Sequence, residues 1–146
     1  MATKERGEGS FTAEEKEAMR ERAAEAKRAK GAKGAAADAE ACVAAIEKLE
    51  PADRKLAKAI HDIVTSEAPE LAPKTWYGMP AYASDGKVVV FFQGAAKFKE
   101  RYSTLGFQGA AQLDEGNMWP TSYAVTDVGP VETKRIKALV KQACGR

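Results

Sequence analysis

Residues 76–92, WYGMPAYASDGKVVVFF, decide the fold class. The runs 76–82 and 88–92 are rich in aromatic and β-branched side chains, and Ser84-Asp85-Gly86-Lys87 stands between them. An Asp-Gly pair readily takes the left-handed backbone that a two-residue turn requires, so the stretch predicts a β-hairpin. Further strand candidates are 101–107 and 118–125, separated by the Gly- and Ala-containing residues 108–117. No clear helical pattern intervenes in the strand block, which disfavours parallel βαβ units.

Helical patterns flank this block. Asp38 suits the start of a short helix to Glu50 with Val43, Ile46 and Leu49 on one face. Pro51 fits the first turn of the next helix, where Leu56, Ile60, Ile63 and Val64 recur at helical spacing, and Pro69 and Pro73 mark its end. On the far side, Pro130 opens a helix carrying Ile136, Leu139, Val140 and Ala143 on one side. The order helices, strands, helix predicts an α+β fold: an antiparallel sheet with helices packed on one face.

The first 37 residues hold only Phe11 and Met19 as large apolar side chains, so they read as a charged appendage to a domain spanning 38–146. A helix is expected from Ser10 to Lys30, capped by the Thr12/Glu15 spacing and stopped by Gly31, with 31–37 as linker. Its early Glu14, Glu15 and Glu17 and late Lys27, Arg28 and Lys30 agree with the helix dipole. Projected at about 100° per residue, Glu14, Glu17, Glu21 and Glu25 form an acidic stripe backed by Lys16, Arg20, Lys27 and Lys30.

The 146 residues are 45% hydrophobic and 30% charged, with Lys+Arg 23 against Asp+Glu 21, which fits one globular domain better than two and disfavours a disordered chain. The longest strongly apolar run, 88–92, is far below the roughly twenty residues of a spanning helix. The start MATKERGEGS has no signal-peptide core. Cys42 and Cys144 cannot staple a fold, and the expected compartment is a reducing cytoplasm. A net charge of +2 identifies no partner.

Motifs for phosphate loops, dinucleotides, nucleophile elbows and zinc are absent from the sequence. His61, the single histidine, reads as a helix-edge residue, and Cys42 and Cys144 as packing residues or free thiols. The aromatic residues concentrated between 76 and 123 exceed what one core face needs, so Trp76, Tyr77, Met79, Tyr82, Tyr102 and Trp119 are candidates to line a ligand surface. At strand periodicity Lys97, Lys99 and Arg101 share a side, which suits an anion or RNA contact as well as edge protection. Lys97 and Arg101 are therefore expected at the mouth of one pocket with Trp76, Tyr77 or Trp119. The acidic stripe Glu14, Glu17, Glu21 and Glu25 is a weak oxygen-donor site for a hard cation such as ferrous iron. Asp114 or Glu115 as a base is the enzymatic alternative.

At WYGMPAY (76–82), KFKERYSTLGF (97–107) and LDEGNMWPTSYA (113–124) the chain resembles the YdhG-type family of small bacterial domains of unknown function. The resemblance extends to FTAEEKEAM (11–19) and APELAPKTWYGMPAY (68–82), with Gly78-Met79-Pro80 as its most recognisable turn. It implies an α+β fold, and some relatives are described as frataxin-like iron chaperones that feed iron–sulfur or haem assembly. No catalytic residues come with it. Where many members carry a Lys-x-His-like element, this chain reads Lys97-Phe98-Lys99. The expectation is a cytoplasmic, non-enzymatic binding domain, iron-chaperone-like, with anion or RNA binding as the alternative.

Overall fold

The capping box of the first helix is formed. Thr12 Oγ1 accepts the Glu15 N–H at 3.0 Å, and Glu15 Oε1 accepts the Thr12 N–H at 3.4 Å. The computed structural model describes residues 12–29 and 34–146, and this helix, α1, runs Ala13–Ala29. Ser10, Phe11, Lys30 and Gly31 lie outside the described residues. Helix α2 runs Gly34–Glu47, so part of the expected linker is helical: Ala35, Ala36 and Ala37 are strong helix formers and add a turn ahead of Asp38. Its buried side chains are Cys42 and Ile46, one turn apart, whereas Val43 is rotated off that face and is 47% exposed. Helix α3, Pro51–Glu67, buries Leu56, Ile60, Ile63 and Val64 as the sequence pattern predicts.

Five strands, β1 (Ala72–Trp76), β2 (Met79–Ser84), β3 (Lys87–Gln93), β4 (Ser103–Phe107) and β5 (Ser122–Val125), form an antiparallel sheet in chain order. Residues 76–82, expected as one strand, contain a turn instead. Tyr77 (φ 51°) and Gly78 (φ 79°) both take left-handed backbone and set Trp76 opposite Met79. The hairpin at Asp85 (φ 49°) and Gly86 (φ 79°) forms as expected, with Ser84 opposite Lys87.

Cross-strand partners share a sheet face. The row Pro73, Tyr82, Val90, Phe107 and the row Phe92, Leu105, Tyr123 lie on the face covered by α2, α3 and α4 (Pro130–Ala143). Helix α4 adds Ile136, Val140 and Ala143 to the core, and its start is fixed by the Gly129 N–H donating to Glu132 Oε1 at 2.9 Å. The opposite face carries Lys74, Ala81, Phe91, Gly106 and Ser122, with Trp76 and Met79 beside them.

The period-two row of Lys97, Lys99 and Arg101 does not exist. Ala96–Phe98 is a 3-10 turn closed by left-handed Lys99 (φ 55°), and β4 begins only at Ser103. Likewise β5 starts at Ser122, after Pro120, rather than at Met118. Among the described residues no helix is long and apolar enough to cross a membrane.

Candidate ligand-binding site

Two buried carboxylates shape the candidate site. Glu25 of α1 is 3% exposed, and its oxygens accept the backbone N–H groups of Tyr77 at 3.2 Å and Gly78 at 2.9 Å. Consecutive left-handed residues aim successive N–H groups to one side, which makes a nest for an anion. Arg22 Nη1 lies 3.5 Å from Glu25 Oε1, and the guanidinium sits 5.5 Å from the Tyr77 ring centroid. The helix expected to hang free is therefore tied to the β1–β2 turn.

The second carboxylate is Asp53, 6% exposed in the first turn of α3. It accepts the Ala96 N–H at 2.9 Å and the Ser103 hydroxyl at 3.1 Å, while Ser103 Oγ accepts the Ala95 N–H at 3.1 Å. This network is what bends residues 95–99 out of the extended form and carries Lys97 toward the Tyr77–Gly78 turn.

Between the two anchors lies a cleft of about 520 Å³. Helix α1 contributes Glu17 and Glu21, α2 contributes Ala41, Ala44 and Ala45, the turn after it contributes Lys48 and Leu49, and the start of α3 contributes Asp53 beside Glu50. Thr75, Gly78, Ala96 and Lys97 complete it. A Cβ on Gly78 would stand 3.2 Å from Glu21 Cγ and 3.4 Å from Lys97 Nζ, so an acidic and a basic side chain both lie close against this left-handed glycine. The alanines keep the α2 wall low. With Asp53 committed to its donors, Glu17, Glu21 and Glu50 face Lys48 and Lys97.

The residues singled out from sequence divide among several places. Lys97 lines this cleft, but Trp76 lines another on the opposite sheet face, and Met79 pairs with Trp76 across the hairpin. Arg101 is exposed, stacks 5.1 Å from the Tyr102 ring, and with Tyr102 lines neither cleft. Trp119 packs at the margin of the core. The expectation of one pocket mouth joining Lys97 and Arg101 to these rings is thus corrected: the 3-10 turn sends the two cations to different surroundings.

Tyr82, a candidate for ligand contact, is 1% exposed because its row faces the helices. The Cys42 thiol lies 4.0 Å from its hydroxyl, which in turn is hydrogen-bonded to His61 Nδ1 at 2.8 Å. Burial pushes the Cys42 thiol and the Tyr82 hydroxyl upward in pKa and pushes His61 downward. Cys42 and Tyr82 belong to the core, with His61 half-buried beside them. Burial also raises Cys144.

Of the acidic stripe, Glu17 and Glu21 reach the cleft, Glu25 is occupied by backbone donors, and Glu14 is exposed outside it. Among the described residues no group of three or more His, Cys, Asp or Glu side chains is placed to hold a metal ion. Asp114 and Glu115 are exposed in the loop between β4 and β5.

Sequence reasoning missed Asp53, Ser103, Lys48 and Glu50. Asp53 resembles an ordinary first-turn acid favoured by the helix dipole, and only its burial reveals the clasp. The small residues Ala41, Ala44 and Ala45 at helical spacing were the available signal of a low wall. Comparison with protein-family models, curated proteins and solved structures finds no match.

Proposed function

We propose that this chain is a non-enzymatic binding domain whose ligand occupies the cleft between α1, α2 and the Tyr77–Gly78 turn. The observation that carries this reading is the placement of Glu21 and Lys97 together beside Gly78, in a cleft also lined by Ala41, Ala44 and Ala45. Such a site suits a small ligand with a positive group for Glu21 and Glu17 and a negative or carbonyl group for Lys97. Among the described residues the cleft lining contains no histidine and no cysteine, and its charged groups are carboxylates and lysines.

Ferrous iron as cargo is the version suggested by the resemblance to YdhG-type domains. It is supported by Glu17 and Glu21 lining the cleft, and oxygen donors of this kind hold iron weakly and exchangeably. Both versions are tested by titrating the full chain, under anaerobic conditions, with ferrous iron, 1,4-diaminobutane and free L-lysine while following backbone amide resonances. Saturable shifts at Gly78, Glu21 and Lys97, weakened about tenfold or more in Glu21→Gln, are expected. If none of the three probes moves these resonances at millimolar concentration, the reading fails. Binding of the organic probes without iron removes the iron-cargo version alone.

A further inference from the structure

The outer face of the sheet holds a second cleft, of about 510 Å³, with the opposite electrostatic character. Among the described residues its lining brings together Arg22 from α1, Lys74 from β1 and Lys87 from the start of β3, and includes no Asp or Glu. Neither Lys74 nor Lys87 forms an ion pair among the described residues. Arg22 meets Glu25, whose charge is also shared with two backbone donors. A guanidinium has five N–H donors, which leaves several for a ligand.

Beside these cations stands the Trp76 indole. It is held edge-on to Tyr77 with centroids 5.2 Å apart and tilted against Phe91, also at 5.2 Å. Phe91 in turn packs against Gly106, where any Cβ would overlap its ring. The indole is thereby fixed as one wall, and its Nε1–H has no acceptor among the described residues. Gly86 also lines the cleft, and a Cβ there would meet nothing within 4 Å, so the turn leaves the cleft open. Gln108, with both a donor and an acceptor, lines it from the other side.

We propose that this cleft binds a nucleotide, with the phosphate among Arg22, Lys74 and Lys87 and the base against Trp76. Cations alone would suit any anion, and a fixed aromatic wall alone any flat ring. Their convergence from three separate elements selects a ligand that carries both. Edge protection explains a lysine on β1, but not a second from the start of β3 and an arginine from α1 beside the same indole. The ligand is either a free mononucleotide or one unit of a single strand, which share this chemistry.

The test uses the full chain and follows the two indole N–H resonances during titration with AMP, adenosine, inorganic phosphate and a single-stranded oligoadenylate. AMP is expected to shift the Trp76 signal and leave Trp119 in place, and to bind more tightly than adenosine or phosphate alone. The double substitution Lys74→Gln, Lys87→Gln is expected to weaken AMP about tenfold or more, and Gln108→Ala to weaken it less. Oligoadenylate binding that is tighter than AMP and steeper in its salt dependence identifies the strand as the source; equal affinity identifies the mononucleotide. No shift of Trp76 with either nucleotide probe at millimolar concentration, or equal binding by the double variant, overturns the proposal.

Discussion

Glu25 and Gly78, 53 residues apart in the chain, are joined by a 2.9 Å hydrogen bond in which the glycine N–H donates to the buried carboxylate. The neighbouring Tyr77 N–H donates to the other oxygen of the same group at 3.2 Å. Replacing Glu25 by Ala removes both acceptors and is expected to cost about 1–3 kcal/mol in chemical denaturation. Amide exchange at Tyr77 and Gly78 should accelerate. An unchanged midpoint would show that α1 contributes nothing by docking there.

Deleting residues 1–33 is expected to cost about as much as Glu25→Ala while leaving one cooperative thermal transition, because the hydrophobic core begins at Cys42 and takes no side chain from α1. Loss of the near-UV circular dichroism signal in that truncated chain would contradict this.

Asp53 and Ser103 hold the turn that positions Lys97. Asp53→Ala should destabilise by about 2–3 kcal/mol, since the Ala96 N–H and the Ser103 hydroxyl lose their shared acceptor, and Ser103→Ala should cost about 1 kcal/mol or somewhat more. Because the two side chains act on each other, the double substitution should cost less than the sum of the single ones. Denaturant titrations of the four-member cycle measure the difference, and strict additivity would rule out the network.

Gly106→Ala places a methyl group against the Phe91 ring. Overpacking of this type is expected to cost about 1–3 kcal/mol, and Phe91→Leu in the same chain should recover part of it. Thermal unfolding of the single and double variants checks both statements.

The pH response of His61 has a definite sign. Burial lowers its pKa in the folded chain from the ordinary 6.5, and the charge of Asp62 opposes this only in part. Between the lowered value and about 6.5 the unfolded chain binds more protons, so stability falls as pH drops through that window. His61→Gln should flatten the fall seen between about pH 7 and pH 5, as read from urea midpoints. Parallel curves for the two proteins would mean that the imidazole is equally easy to protonate in both states.

The helical core was legible in the sequence because burial in α3 and α4 follows a single period: Leu56, Ile60, Ile63, Val64, Ile136 and Val140 all face inward. The Asp85-Gly86 turn was legible because its residue types leave few alternatives. Tyr77-Gly78 was not, since a tyrosine with positive φ breaks the usual preference, and it is the distant Glu25 that rewards the conformation. Lys97 lines a cleft, but by a 3-10 turn and not by the extended row expected from its spacing. Its place depends on Asp53, far away in sequence, which no local spacing rule reports.

Each strand of the sheet pairs with its neighbour in the chain, and two of the connections are two-residue turns. Closing such hairpins spends little loop entropy, so the sheet can zip up from local encounters. The acceptor on α1 has a different history, because its donors converge only after the Tyr77–Gly78 turn exists. In that order of events helix α1 is a latch that closes on a finished hairpin: removing Glu25 is expected to hasten unfolding and to leave the rate of folding nearly as it was.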